Sequence, residues 1–257
     1  MLKKRVMQVI ANWKMNGCLS DNDALLDAIL NKIGHVKDKV EMCVCVPFPY
    51  LSQMKVRLSG GPVKWGSQDI SSQENGPFTG EVSAKMVAEF GAHYTIVGHS
   101  ERRTYHSEYD STIAQKTVRA LSAGITPIIC IGETLEQREV GDAERIIERQ
   151  INAVLDILTK EQATRIVVAY EPVWAIGTGK SMTATQVQKV LLFLRSNLMK
   201  KGAECISLLY GGSINPNNAV ELFAQPDIDG CLIGSAALRA EDFLMICQAA
   251  SLSIRQA

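Results

Sequence analysis

The sequence alternates eight times between a short apolar segment and a longer segment with polar and apolar residues at helical spacing. Most of the apolar segments are nearly continuous in apolar residues, which is typical of parallel strands covered on both faces. They are VMQVIANWK (6–14), EMCVCVPF (41–48), VKWGSQD (63–69), YTIVGHS (94–100), ITPIICIG (125–132), RIVVAYEP (165–172), SLLYGGS (207–213) and GCLIGSA (230–236).

Eight β-α units in 257 residues predict an α/β protein in which the strands close into a (β/α)8 barrel. A doubly wound open sheet is the alternative, but it usually has fewer strands and a glycine-rich first turn. No linker or low-complexity segment interrupts the pattern, so we expect residues 1–257 to form a single barrel domain.

Helix signals lie between the predicted strands. Thr183 and Gln186 form a capping-box pattern at the start of segment 183–202, which ends in Lys-Lys-Gly. Segment 136–159 has an apolar face opposite its charged residues, and Asn215-Pro216 is expected to cap and open another helix.

Charge and cysteine usage exclude several function classes. Lysine plus arginine equals aspartate plus glutamate, which argues against non-specific nucleic-acid binding. No segment approaches the roughly 18 consecutive apolar residues of a membrane span, and the N-terminus lacks the long apolar core of a signal peptide. The seven cysteines form no C-x-x-C pair, so we expect reduced thiols and a cytoplasmic protein.

The segment YEPVWAIGTGKS (170–181) ends like a nucleotide-binding P-loop. That motif requires a glycine five positions before Gly179, and this chain has Trp174 there. An indole cannot replace glycine in a tight turn, so the segment is not predicted to bind a nucleotide.

Polar residues and glycines follow five of the predicted strands. Singly, each is most simply a structural residue, but the active sites of barrel enzymes lie at the C-terminal ends of the strands, where these would converge. They are Asn12 and Lys14, His99 and Glu101, Glu171, Gly211-Gly212-Ser213, and Gly234-Ser235.

These groups suit proton transfer next to a carbonyl, with a carboxylate as base and an imidazole and ammonium stabilising the developing oxyanion. The turns after strands 7 and 8 are the usual phosphate site of such barrels. No metal-ligand spacing and no G-x-S-x-G elbow occurs, so neither a metal nor a serine nucleophile is expected.

Six motifs, distributed from strand 1 to strand 8, together resemble the triosephosphate isomerase family: NWKMNG (12–17), GPFTGEVSA (76–84), VGHSERR (97–103), CIGETLEQRE (130–139), YEPVWAIGTGK (170–180) and YGGS (210–213). The resemblance implies a TIM barrel that interconverts D-glyceraldehyde 3-phosphate and dihydroxyacetone phosphate through an enediolate, in cytoplasmic glycolysis and gluconeogenesis. It implies no cofactor.

The resemblance also implies roles for individual residues. Glu171 matches the base that moves the proton between two adjacent carbons, and His99 matches a neutral imidazole acting as electrophile. Lys14 matches the ammonium near the substrate oxygen and phosphate. Asn12 matches an amide that holds the substrate, and Glu101 matches a carboxylate close to Lys14.

Four further positions match those that bind the substrate phosphate, namely Gly177, Ser213, Gly234 and Ser235. The resemblance makes Pro172–Lys180 a mobile lid that follows the base, with Gly177 at its tip. It also makes the chain a homodimer in which the GPFTGE loop carries Thr79 to the rim of the partner's active site.

Some positions depart from the family pattern: Ala11 and Pro77 replace a usual glycine and alanine, and Ser181-Met182 follows the lid. The departure that matters most is Gly234-Ser235 in place of Gly-Gly, because serine adopts a positive φ with difficulty. We expect only a modest effect on phosphate affinity.

Three other interpretations are weaker. A Schiff-base aldolase or an epimerase could use the same barrel, with Lys14 as the reactive amine of an aldolase. An inactive scaffold barrel has little support, since all five candidate catalytic residues are present. Cys130 as a nucleophile is less favoured than Cys130 as a packing residue at the end of a strand.

Overall fold

The chain forms a closed barrel of eight parallel strands, each hydrogen-bonded to its neighbours in sequence order, with β8 pairing back to β1. The computed structural model describes residues 6–175, 182–203 and 205–253. The strands are β1 (Gln8–Asn12), β2 (Glu41–Val46), β3 (Val63–Ser67), β4 (Tyr94–Val97), β5 (Thr126–Ile131), β6 (Val167–Tyr170), β7 (Ser207–Tyr210) and β8 (Gly230–Ile233).

All eight predicted strands are therefore confirmed, each inside its predicted segment, and the open-sheet alternative is wrong. Closure requires β8 to approach β1 closely, because Gly230 pairs with Gln8. A Cβ at Gly230 would lie 1.9 Å from the Gln8 carbonyl oxygen, so only glycine fits at this seam.

The α-helices lie between successive strands and after β8 and cover the barrel. They are α1 (Leu19–Lys32), α2 (Leu51–Leu58), α3 (Ala84–Glu89), α4 (Ser100–Tyr105), α5 (Asp110–Ser122), α6 (Leu135–Glu139), α7 (Ala143–Leu155), α8 (Lys160–Ala163), α9 (Ala184–Lys200), α10 (Ala219–Phe223) and α11 (Ala240–Leu252). Short 3₁₀ helices span Gly34–Asp38, Phe48–Tyr50, Val173–Ala175 and Ser235–Leu238.

Of the three helix predictions, one is confirmed and two are corrected. The Thr183–Gln186 capping box is confirmed at the start of α9. Segment 136–159 is divided into α6, α7 and a following turn, and Gly141 breaks it with a φ of 81°. Asn215 forms a turn with Asn217, and the helix itself begins only at Ala219.

Two layers of apolar side chains hold the barrel together. The larger fills the space between strands and helices. The smaller fills the barrel interior and includes Cys43, Cys45 and Cys130. Within the part of the chain described here, no helix is long and apolar enough to span a membrane.

Candidate active site

A cavity of about 410 Å³ opens at the C-terminal ends of the strands. Because all eight strands are parallel, the residues that follow them meet at this one rim. Seven of the nine predicted site residues line the cavity: Asn12, Lys14, His99, Glu171, Ser213, Gly234 and Ser235. Glu101 lies in an adjoining pocket, and Gly177 lies outside the described residues.

Glu171 is the buried carboxylate of this cavity, with 2% of its surface exposed. Its backbone N–H continues the β6 ladder by donating to the Ile131 carbonyl at 2.8 Å, which fixes where its side chain starts. Gly132 and Gly211 leave room for Glu171. A Cβ at Gly132 would lie 1.8 Å from the Glu171 carbonyl oxygen, and one at Gly211 would lie 2.6 Å from its Cγ.

His99 lies beside Glu171 at the start of α4, with 3.3 Å between its Nε2 and the Glu171 Oε1. The backbone N–H of Glu101 donates to His99 Nδ1 at 3.2 Å. An imidazole nitrogen that accepts a hydrogen bond carries no proton, so a neutral ring has its proton on Nε2. The start of α4 therefore favours the tautomer that can donate into the cavity.

Lys14 brings a cation to the same cavity. Its Nζ lies 2.6 Å from the Glu101 Oε1, and its backbone N–H donates to the Asn12 Oδ1 at 3.0 Å. An ammonium that is paired with a carboxylate has no free electron pair for attack on a carbonyl. This ion pair argues against the Schiff-base aldolase.

The remaining polar groups form the end of the cavity near β7 and β8. Ser213 follows β7, and its carbonyl accepts from the Asn218 side chain at 3.0 Å. Ser235 begins the 3₁₀ helix Ser235–Leu238 after Gly234. The first N–H groups of a helix have no partner within it and can donate to an anion. Ser235 is not among the non-glycine residues with positive φ, so serine is accommodated there without backbone strain of that kind.

The surroundings of Cys130 are unfavourable for a nucleophile. It is buried in the barrel interior, and burial and the adjacent Glu171 carboxylate raise the pKa of its thiol well above the ordinary value. The reactive form of cysteine is the thiolate, which this environment disfavours. The packing interpretation of Cys130 is the one supported.

The sequence analysis did not predict a hydrogen-bonded cluster around Glu133. Glu133, which is fully buried, accepts from Trp174 Nε1 at 3.0 Å, from Arg138 at 2.7 Å and from the Tyr170 hydroxyl at 3.1 Å. Trp174 belongs to the first part of the predicted lid, whose residues 176–180 lie outside the described residues. The available signal was Glu133 itself, a carboxylate at a strand end like Glu171.

Comparison with known proteins gives one consistent result. The family described as triosephosphate isomerase matches residues 7–250. A triosephosphate isomerase from Cupriavidus necator is 56% identical, over 93% of this chain and 97% of its own. Enzymes with the same name from Ralstonia nicotianae and Bordetella pertussis are 52% and 48% identical, each over 96% of this chain and at least 98% of their own.

Proposed function

The chain belongs to the triosephosphate isomerase family, and from this premise we propose how its own residues carry out the reaction. The enzyme is an isomerase of glycolysis and gluconeogenesis that interconverts D-glyceraldehyde 3-phosphate and dihydroxyacetone phosphate. The reaction moves one proton between two adjacent carbons and one proton between their oxygens. It therefore needs a base that faces the carbons and an acid that faces the oxygens.

The proposal rests on one observation, the 3.3 Å between the Glu171 carboxylate and the His99 Nε2 on the floor of the cavity. Glu171 removes the proton from the carbon beside the carbonyl, and His99 donates from Nε2 to the carbonyl oxygen. Glu171 then returns the proton to the neighbouring carbon, while His99 Nε2 takes a proton back from the hydroxyl on the first carbon, where the new carbonyl forms. A base and an acid side by side serve both carbons and both oxygens without moving far.

Lys14 and Asn12 hold the substrate between these two groups and the phosphate end of the cavity. The Lys14 ammonium stabilises the negative charge of the enediolate and of the phosphate, and such stabilisation is strong in a cavity from which water is excluded. Ser213, Gly234 and Ser235 bind the phosphate, and Gly177, which lies outside the described residues, is the fourth phosphate-binding residue of the proposal. Glu101 holds the Lys14 ammonium at 2.6 Å.

The proposal also includes a cytoplasmic homodimer. Residues 74–81 are all exposed, and Phe78 in this loop exposes 42% of its surface. A second pocket of about 510 Å³ adjoins the active site, and Met15, Phe48 and Tyr105 give it an apolar lining. Met15 is 95% exposed. An exposed loop with Phe78 near its tip and a pocket with a partly apolar lining on the same chain support mutual insertion across a two-fold axis.

The test is isomerase activity with glyceraldehyde 3-phosphate, coupled to NADH oxidation by glycerol-phosphate dehydrogenase. Glu171→Asp withdraws the carboxylate by about one methylene, so kcat should fall about 10²- to 10³-fold with little change in KM. Glu161→Asp, at an exposed position in α8, is the matched control and should keep native activity.

Two results would contradict the proposal. Absence of turnover in pure, folded protein would favour the inactive scaffold. Native turnover in Glu171→Asp would remove Glu171 from the role of base while leaving the reaction itself intact.

A further inference from the structure

Lys14 has an unusual backbone. Its φ is 51°, and among the described non-glycine residues only Ser107 shares a positive φ. This region is unfavourable for a residue with a Cβ, so it persists only where surrounding contacts impose it. The strain lies in the residue that carries the ammonium of the proposed active site.

Side chains hold both peptide groups of Lys14. Asn12 accepts from the Lys14 N–H at 3.0 Å, and the Gln68 amide donates from Nε2 to the Lys14 carbonyl at 2.9 Å. The same Gln68 Nε2 donates to the Cys45 carbonyl at 3.0 Å. Gln68 directly follows β3 and therefore ties the left-handed turn after β1 to the end of β2.

We propose that Gln68 is a positioning residue for the Lys14 ammonium. By holding the Lys14 carbonyl, it maintains the positive φ that aims the side chain past Glu101 into the cavity. Gln68 lines the adjoining pocket and is not among the residues that line the substrate cavity, and its amide is bound to backbone carbonyls, so we expect it to act through Lys14. The inference rests on the proposed role of Lys14.

A merely structural role would look different. If Gln68 only joined the ends of three strands, its loss would lower stability and would lower activity by the same factor whatever residue stood at position 14. If it acts through Lys14, its effect must vanish once position 14 has neither strain nor an ammonium. Glycine at position 14 meets both conditions, because it adopts positive φ freely.

The experiment is a double-mutant cycle between Gln68→Met and Lys14→Gly in the full-length enzyme. Methionine keeps the shape of glutamine and removes the donor. With Lys14 present, Gln68→Met should lower kcat/KM about tenfold, since a displaced ammonium loses transition-state stabilisation. In the Lys14→Gly background, it should cause no further loss. The inhibition constant of inorganic phosphate should rise in Gln68→Met when Lys14 is present. It should not rise further in the Lys14→Gly background.

Two controls accompany the cycle. Gln53→Met removes a similar donor, which contacts the Leu19 carbonyl at 2.7 Å away from the site, and should leave kcat/KM unchanged. Gln68→Glu also keeps the shape of glutamine. When its carboxylate is ionised, it cannot donate a hydrogen bond and it repels the carbonyl oxygens of Lys14 and Cys45. It replaces methionine in the cycle if the Gln68→Met protein does not fold.

The outcomes separate the inference from the function it rests on. Equal losses from Gln68→Met in the native and Lys14→Gly backgrounds, or no loss in either, would overturn the positioning role. Native activity in Lys14→Gly alone would instead overturn the proposed role of Lys14. A loss confined to the background that keeps Lys14 would establish the coupling.

Discussion

Gly211, in the turn after β7, determines how much space the base has. A Cβ at this position would lie 2.6 Å from the Glu171 Cγ and 3.1 Å from its Oε1. Glu171 is buried, so it cannot move aside without changing its 3.3 Å distance from His99. Gly211→Ala is therefore expected to lower kcat about 100-fold, the typical loss for a misplacement of about 1 Å, with little change in KM.

Steady-state kinetics and thermal unfolding together check this prediction. Gly61→Ala, on the exposed turn after α2, serves as the control and should keep native kcat. Native kcat in Gly211→Ala would mean that the Glu171 carboxylate has a second productive position.

Ser235 is the departure from the family pattern whose effect we expect to be small. It begins a 3₁₀ helix and is not among the residues with positive φ, so glycine relieves no strain there. Ser235→Gly should change the KM for glyceraldehyde 3-phosphate by less than about threefold, because the backbone N–H is retained. A fall in KM by orders of magnitude would show that the serine side chain obstructs the phosphate.

The sequence locates the reactive side chains well and their local geometry poorly. Asn12, His99 and Glu171 could be placed at one rim because parallel strands all end on the same side of a barrel. The positive φ of Lys14 depends on Gln68, which lies 54 positions away, and no local pattern encodes such a contact.

At the scale of the elements, a residue in the first two positions of each of β1 to β4 belongs to a polar cluster at the N-terminal end of the barrel. Glu41 on β2 accepts hydrogen bonds from Gln8 on β1, Lys64 on β3 and Tyr94 on β4. Burial raises the pKa of Glu41, but these hydrogen bonds outweigh burial, so that the pKa lies below its ordinary value of 4.5. The ionised carboxylate thus joins four neighbouring strands.

Glu41→Gln should make the free energy of unfolding less dependent on pH in the acidic range. A carboxyl with a lowered folded-state pKa stabilises the fold above its unfolded-state value and loses this contribution as the pH falls through the folded value. The variant should therefore lose about 2 kcal/mol of unfolding free energy at pH 7, and the difference should shrink below about pH 4.

Urea unfolding of the two proteins across this pH range measures the effect. Asp156→Asn is the control, since Asp156 pairs with Lys201 but is exposed, and the variant should behave like the native chain at every pH. A Glu41→Gln deficit that stays constant down to pH 3 would exclude the ionised carboxylate as its cause.

The strands and helices could be predicted where more than one feature of the sequence indicated the same structure. Eight short apolar segments predict the strands, and one capping box predicts the start of α9, because packing and local hydrogen bonding agree there. The apolar face of segment 136–159 suggested one helical unit, since the spacing of Ile146 and Ile151 carries no information about the break. Gly141, with its positive φ, introduces that break.

At the scale of the whole molecule, eight repeating units predict a barrel without proving closure, because an open sheet can use the same units. Closure depends on the register of β8 against β1, where Gly230 pairs with Gln8 and the backbones approach too closely for any side chain. Such a contact between the two ends of the chain is invisible in either segment alone.

The proposed homodimer gives a prediction at this same scale. Thr79 lies in the exposed segment 74–81, and no residue of that segment lines the active-site cavity or the adjoining pocket of its own chain. We therefore expect a substitution in segment 74–81 to affect activity mainly through the active site of the partner molecule. In the proposed dimer, Thr79→Arg would place a long charged side chain against the partner's pocket beside the active site, so it should weaken the dimer and lower activity at low enzyme concentration.

Sedimentation velocity and kinetics over the same concentration range test this. Specific activity of the Thr79→Arg enzyme should rise with concentration in parallel with the dimer fraction, because each active site would be complete only when a partner covers it. Val56→Arg, at an exposed apolar position in α2, should leave both quantities unchanged. A Thr79→Arg monomer with full activity would show that one chain alone completes the active site, and the apolar pocket beside it would then need another occupant.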